Sequence, residues 1–230
     1  MADNYLSNVI LFSNLNKEER VSFLYAKLKK NGFSPKIQNF FSSFGEGRNI
    51  FAEINNDNQK NKIVLSAHYD GESLFDNAGG VNALLDLSKR IRHLELPFSV
   101  VILFTDQEEI YQQGAAHFIN EKLSDHIINK NINIDGFGIG DELFCVSELT
   151  KNTNNDNDLF LCDSDEFLKK NIPSISHFSA FKEDFKNAKN SSNIYLTFKK
   201  YNSISFFKEK YNNKNIDHVN DKLCQLIFKT

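Results

Sequence analysis

The chain has 230 residues, of which 40% are hydrophobic and 25% charged, and its formal net charge is -3. This composition is typical of a folded globular protein, and the length suits one large domain. The weak negative charge provides no basic face for nucleic acid. No stretch reaches the ~18 apolar residues of a membrane span, and the first twenty residues lack the basic start and continuous apolar core of a signal peptide. We expect one cytoplasmic domain over residues 1–230, without a membrane or nucleic-acid partner; the sequence carries no indication of oligomeric state.

Cysteine spacing excludes two common kinds of site. Cys145, Cys162 and Cys224 are odd in number and widely spaced, and none forms a C-x-x-C pair. A disulfide framework or a cysteine zinc site is therefore not expected. We predict three reduced thiols, most of them buried.

The predicted elements alternate between helices and strands. A helix is expected over 16–32, with an Asn16 cap and a stop at Gly32. Later elements are strands at 34–41, 48–54, 63–65, 100–104, 132–138, 143–146, 159–161, 173–178 and 194–198, and helices at 81–94, 115–127, 165–170 and after 221. Residues 151–158 are expected to form a polar surface loop. This alternation predicts an α/β fold, with a mixed or parallel sheet covered on both faces.

Histidine and acidic residues come directly after the apolar strands. His68 and Asp70 follow the strand at 63–65, and Glu108 and Glu109 follow the strand at 100–104. The third strand, at 132–138, carries Asp135. Ligands in α/β sheets gather outside the carboxyl ends of the parallel strands. The pattern therefore indicates a metal site at that edge.

The residue types suit zinc chemistry. Two ions that share a bridging carboxylate need about five or six imidazole and carboxylate ligands, and the candidates here are His68, Asp76, Glu109, Asp135 and His218. Glu108 adjoins a candidate ligand and could act as general base, and Asp70 could orient the His68 imidazole. Taken singly, an E-E pair is usually a solvated loop and D-N-A-G-G often only a helix cap. Their order along successive strand ends favours a site.

Four ordered motifs resemble one family. They are AHYD at 67–70, FDNAGG at 75–80, FTDQEE at 104–109 followed by GAAHF at 114–118, and NINIDGFG at 131–138. The sequence resembles the clan MH co-catalytic zinc peptidases, in the branch of bacterial leucyl aminopeptidases and glutaminyl cyclases, over about residues 16–140. The resemblance implies a single α/β domain of the phosphorylase/hydrolase-like zinc-peptidase fold. Its central sheet would be twisted, mixed, mostly parallel and eight-stranded.

The same resemblance implies roles for the residues. Asp76 would bridge two zincs, His68 and Asp135 would complete one metal site, and Glu109 with a late histidine would complete the other. Glu108 would be the general base.

The late histidine has two candidates. His218 is expected just before the terminal helix, as the family's last ligand is, and Asp221 follows it. His177 is the alternative, although its strand matches a family strand that carries no ligand. Many relatives also have a tyrosine near the last ligand that stabilises the oxyanion. Here Asp217 stands before His218, so that role would be unfilled or would fall to Tyr195, Tyr201 or Tyr211.

The expected function is that of a metal-dependent hydrolase of amide bonds. The leading hypothesis is a zinc aminopeptidase that acts on a peptide or small amide, with two zincs or with one. A single-zinc acyltransferase like the glutaminyl cyclases is the second, and a metal-binding relative without catalysis is the third. GAAHF after the E-E pair and the absence of Trp favour the peptidase, while Glu108 beside the ligands argues against a non-catalytic site.

Overall fold

A computed structural model describes residues 3–54, 61–122, 127–147, 162–190 and 197–228. The strands are β1 (Lys36–Ser42), β2 (Gly45–Ile54), β3 (Asn61–His68), β4 (Ser99–Thr105), β5 (Ile127–Ile134), β6 (Glu142–Cys145) and β7 (Ser174–Ala180). The helices are α1 (Asp3–Ser13), α2 (Lys17–Lys30), α3 (Gly80–Ile91), α4 (Gln113–Lys122), α5 (Asp163–Lys169), α6 (Lys182–Lys189), α7 (Ile204–Lys210) and α8 (Asn213–Phe228). A π-helical turn (Leu74–Gly79) precedes α3, and a 3-10 turn (Lys199–Asn202) precedes α7.

The described strands form one seven-stranded sheet in the order β1-β2-β4-β3-β5-β7-β6. The central strands β4, β3, β5 and β7 run parallel to one another. The strands β1, β2 and β6 are added at the two sides in antiparallel fashion. The predicted mixed α/β fold is thus confirmed. The resemblance implies an eighth strand; the expected strands at 159–161 and 194–198 lie largely outside the described residues, as does the loop at 151–158.

An apolar core covers each face of the sheet. Alternate residues of a strand point to opposite faces, so Leu65 and Ile102 pack in the core that contains α3, whereas Val64 and Val101 pack in the core that contains α4 and α5. β4 is buried along its whole length. The central strands are therefore fixed from both sides, and their carboxyl ends are held in place.

Helices lie at both ends of the described part of the chain. The expected helix at 16–32 is confirmed as α2, where Asn16 and Glu19 form a capping box and Gly32 follows with φ of +84°. α1 was not expected from the sequence. α8 begins at Asn213, several residues earlier than predicted, because Ile216, Val219, Leu223 and Ile227 form a continuous buried face. No helix among the described residues is both long and apolar enough to span a bilayer.

A buried polar network crosses the middle of the sheet. Ser66 donates to Asn133 Oδ1 at 2.9 Å, Asn131 donates to Ser66 Oγ at 2.9 Å, and Asn133 donates to Ser176 Oγ at 2.9 Å. Such groups are tolerated in a core because they satisfy one another. The network fixes β3, β5 and β7 in register directly below the edge where His68 and Asp135 lie.

Candidate metal centre

The carboxyl ends of β3, β4 and β5 lie side by side and carry most of the predicted site. His68 is the last residue of β3 and is level with Thr105, the last residue of β4. Ser66 is level with Asn133, so Asp135 leaves β5 beside His68. The edge predicted from the sequence is therefore the edge at which these residues meet.

One group of three side chains has the geometry of a metal site. His68 Nε2 lies 3.4 Å from Asp76 Oδ1 and 3.6 Å from Asp135 Oδ1. Ligand atoms of all three residues lie within 4.8 Å of one another. His68 is buried, while Asp76 and Asp135 are partly accessible. Three protein ligands with an accessible side are typical of a catalytic zinc site, which keeps one position for water or substrate.

Asp76 reaches this group through a backbone feature that the sequence did not predict. It lies in the π-helical turn, and Ser73 Oγ accepts its N–H at 2.9 Å. The turn packs directly against the segment after β5: Gly136 N–H donates to the Asp76 carbonyl at 3.1 Å, and a Cβ on Gly79 would lie 1.8 Å from the Phe137 carbonyl oxygen. Only glycine permits that approach. π-Helical turns are frequent at functional sites.

Asp70 joins two loops of the site. Its Oδ1 accepts the Glu108 N–H at 3.1 Å and its Oδ2 accepts the Glu109 N–H at 3.2 Å. Its Oδ1 also lies 3.4 Å from His68 Nδ1, the ring nitrogen opposite the metal-facing one. Asp70 thus occupies the position that sequence reasoning predicts for it, and a carboxylate there would orient the imidazole.

The loop that carries Glu108 is held in an unusual backbone conformation. Gln107, Tyr111 and Gln112 have φ of 56°, 60° and 51°, a region that non-glycine residues rarely adopt. The Gln107 amide donates to the carbonyls of Gly45 and Glu46 at 3.3 Å and 3.2 Å. The start of β2 therefore holds this loop in its strained conformation, and strain of this kind is concentrated at functional sites.

A second group that could hold a metal consists of His68, Glu108 and Glu109. It shares His68 with the first group, and Glu108 Oε2 lies 3.8 Å from His68 Nδ1. Glu108 is buried and Glu109 is exposed.

Negative charge is concentrated around the single imidazole. Burial, together with Asp135, Asp163 and Asp70, raises the pKa of Glu108 to about 10. Burial also raises the pKa of Asp135 to about 6. Although its own burial opposes charge, His68 has a pKa well above its usual value because Glu108 and the other carboxylates surround it.

One further observation fits a bound divalent cation. The pKa of Asp76 is held at about 2, against the effect of its burial, by the His68 ring. A divalent cation would supply the positive charge that this imidazole now supplies alone, and the imidazole and carboxylate donors suit zinc.

Sequence reasoning missed Asp163. It is the first residue of α5, is fully buried, and accepts a hydrogen bond from Thr105 through Oδ2, while Oδ1 has no partner among the described residues. Burial raises its pKa to about 7. Its only sequence signal is that of an acidic residue just before a short predicted helix, and an acidic residue in that position usually stabilises the start of the helix. Asp163 helps to raise the pKa of Glu108 because α5 packs against β3 and β5.

The structure does not bring His218 to the other predicted ligands. His218 is exposed within α8, and the neighbouring Asp217 and Asp221 contact Arg90 at 3.4 Å and 2.8 Å. Arg90 lies at the end of α3 opposite Asp76, about 20 Å along the helix axis. His218 belongs to the helix rather than to a loop before it, and it faces away from the buried side of α8.

The side chains of the alternatives left open by the sequence make other contacts. His177 is buried on β7, with Nδ1 3.6 Å from Cys145 Sγ. Tyr201 donates its hydroxyl to Asp184 at 2.7 Å, and Tyr211 stacks on Tyr5. Tyr195 lies outside the described residues. The three cysteines form no disulfide within the described part of the chain.

A mixed α/β sheet that carries a histidine and carboxylates at the carboxyl edge of its parallel strands has the arrangement of the zinc-peptidase fold. The sequence profile of Peptidase family M28 matches residues 49–227, and the chain belongs to this family. The resemblance found in the motifs is thereby confirmed.

Solved structures of similar fold include both enzyme classes considered from the sequence. Glutaminyl cyclase of Porphyromonas gingivalis superposes with a TM-score of 0.73 at 15% identity, covering 100% of this chain and 98% of that one. A Zn-dependent exopeptidase from Parabacteroides distasonis has a TM-score of 0.71 at 17% identity, covering 100% and 98%. The LapA aminopeptidase of Legionella pneumophila has a TM-score of 0.71 at 12% identity, covering 99% and 70%. At these identities the likeness shows the fold.

One curated relative is similar in sequence. A vacuolar membrane protease of Schizosaccharomyces japonicus is 30% identical over 118 residues, which is 49% of this chain and 13% of that protein. The chain thus matches a small part of that relative. Its name offers no support for a cytoplasmic location, which stays a prediction. Family and fold together support a metal-dependent peptidase or a glutaminyl cyclase-like enzyme.

Proposed function

We propose that the protein is a metal-dependent aminopeptidase that hydrolyses the first amide bond of a peptide or small amide. The observation that carries the proposal is the position of Glu108, a buried carboxylate beside His68 that is not part of the His68–Asp76–Asp135 group. A purely structural metal site needs no such group. An acid–base catalyst does.

Zinc, when bound by His68, Asp76 and Asp135, would polarise the scissile carbonyl and lower the pKa of a water molecule. Glu108 would accept the proton of the attacking water and deliver it to the leaving amine nitrogen. Asp70 would hold the Glu108 backbone in place for both transfers.

The test is Glu108→Gln with zinc content and hydrolysis of a panel of aminoacyl chromogenic amides measured together, with and without chelator. We expect wild-type turnover to be lost with chelator. The variant should keep its zinc and lose at least about 100-fold in kcat. Glu72→Gln, an exposed carboxylate of the neighbouring loop, is the matched control. Unchanged turnover in Glu108→Gln would exclude the proposed role.

A glutaminyl cyclase-like reaction with a single zinc is the second candidate. It is favoured because both groups that could hold a metal, His68–Asp76–Asp135 and His68–Glu108–Glu109, use the same histidine. Glu108 would then take a proton from the substrate's own α-amine, which attacks the γ-amide of an N-terminal glutamine with loss of ammonia. Release of ammonia from a peptide that begins with glutamine, without release of free glutamine, would favour the cyclase reaction. No reaction with either substrate class would favour the non-catalytic relative.

A further inference from the structure

We propose that the chain binds one divalent metal, through His68, Asp76 and Asp135, and that Glu109 does not bind metal but receives the N-terminal ammonium of the substrate. The second part rests on the proposed aminopeptidase function, whereas the first part concerns metal binding alone.

The first step is that the histidines of the chain limit the number of metal ions that it can bind. A second ion that shares Asp76 and takes Glu109 needs at least one further donor, since zinc sites in enzymes use three protein ligands. The chain has six histidines. Among the described ones other than His68, His93 and His218 are exposed, His117 stacks on Phe40, and His177 contacts Cys145. His126 lies outside the described residues.

The second step is that the His68 ring cannot serve two metals in this arrangement. Its Nε2 faces Asp76 and Asp135. Its Nδ1 faces Asp70 Oδ1 at 3.4 Å and lies between that carboxylate and Glu108. A metal-bound imidazole usually donates its other N–H to a carboxylate. The group of His68, Glu108 and Glu109 is therefore an alternative use of one ring rather than an additional metal site.

The third step is the situation of Glu109. Its backbone is fixed by Asp70, yet its side chain is exposed at the mouth of the site. Oε1 lies close to Gly71, where a Cβ would approach it to 2.6 Å. The carboxylate forms no ion pair with a lysine or arginine of the described residues. Its burial, Asp76 and Asp70 raise the pKa of Glu109, whereas His68 lowers it. The Glu109 carboxylate is therefore held in place, and no lysine or arginine of the described residues pairs with it.

The fourth step is charge balance. Even with Glu108 protonated, the carboxylates of Asp70, Asp76, Glu109 and Asp135 surround His68. One divalent ion does not neutralise them, so a monovalent cation at the mouth is still attracted. A primary ammonium adjacent to the scissile carbonyl fits that position and charge, and charge-assisted hydrogen bonds of this kind are strong. Glu109 would thus select substrates with a free amino terminus.

Metal stoichiometry tests the first part. After equilibrium dialysis against Zn²⁺, the full chain should hold one equivalent by plasma mass spectrometry. His68→Ala and Asp135→Asn should lose it, whereas Glu109→Gln and His218→Ala should keep it. Two equivalents in the wild type, or loss of one equivalent in Glu109→Gln or His218→Ala, would overturn the single-metal assignment. Circular dichroism identifies any variant that has not folded, and Asp76→Asn then serves as a second ligand variant.

Calorimetric binding of leucinol and of 4-methylpentan-1-ol, which lacks the amine, tests the second part on the zinc-loaded protein. We expect Glu109→Gln to weaken leucinol binding at least about tenfold and to leave the alcohol unchanged. No leucinol binding by the wild type, or an equal loss for both probes, would overturn the role of Glu109. A protein that binds one zinc and leucinol but hydrolyses no amide would contradict the proposed function and leave this inference intact.

Discussion

The backbone N–H of Glu108 donates a 3.1 Å hydrogen bond to Oδ1 of Asp70, so the loop after β4 is fastened to the loop after β3. The same oxygen faces Nδ1 of His68. One carboxylate thereby sets both the orientation of a metal ligand and the position of the proposed general base. Removal of its charge should affect metal affinity and turnover together.

Asp70→Asn should therefore lower zinc affinity or kcat by about 10–100-fold. The amide keeps the shape but offers one acceptor oxygen, so either Glu108 or Glu109 loses its backbone partner. Zinc titration with a competing chelator and steady-state kinetics measure the two effects. Glu72→Gln, in the same loop, should change neither; a variant of Asp70 with wild-type affinity and rate would contradict the bridging role.

Stability of the metal-free protein should fall as pH rises from about 5 towards 10. The folded-state pKa of Glu108 is raised to about 10, so the native state keeps a proton that the unfolded chain loses near its ordinary value of 4.5. The stability associated with that proton is complete below the unfolded pKa and is lost as pH rises through the window. His68, whose pKa is also raised, acts in the same direction.

Calorimetric Tm values at pH 5, 7 and 9 in the presence of chelator measure this slope. Glu108→Gln should reduce it, because the amide does not titrate. Saturating zinc should reverse the trend, since metal ligands must be deprotonated to bind. Equal slopes for the wild type and the variant would show that Glu108 titrates normally.

Thr105→Val should destabilise the fold by about 1–3 kcal/mol. Thr105 donates to the fully buried Asp163, whose other oxygen has no partner among the described residues. The loss should be larger at pH 9 than at pH 5, because Asp163 has a pKa of about 7 and its ionised form needs the donor more. Urea unfolding at the two pH values measures it. Thr105→Ser, which keeps the hydroxyl, is the control, and an equal loss for both variants would assign the effect to packing.

Gly79→Ala should cost about 3 kcal/mol or more, since its Cβ would lie 1.8 Å from a backbone oxygen that cannot rotate away. The π-helical turn would shift and carry Asp76 with it, so zinc binding should weaken as well. Gly45→Ala is the comparison: its φ is +109° but no atom lies within 4 Å, so it should cost about 1–2 kcal/mol and leave zinc affinity unchanged. Chemical denaturation and zinc titration separate the two. A similar cost and unaltered zinc binding in both variants would refute the packing argument.

The sequence determined the strands and what lies at their ends. Short apolar runs such as 63–65 and 100–104 form the buried part of a strand. The first polar residues after each run therefore lie at the edge of the sheet where the strand ends. For that reason the amino-acid pattern alone assigns His68, Asp70, Glu108 and Asp135 to one place. The capping pattern at Asn16 was equally local, and α2 begins where it indicated.

Only the tertiary structure decided which distant residues join that edge and which do not. Asp76 arrives through a π-helical turn packed on Phe137, Asp163 arrives through the docking of α5, and His218 lies on the exposed face of α8. Each outcome depends on which face of a helix is buried against which element. That choice is made by packing between segments far apart in the chain, whereas the end of a strand is fixed by its own residues.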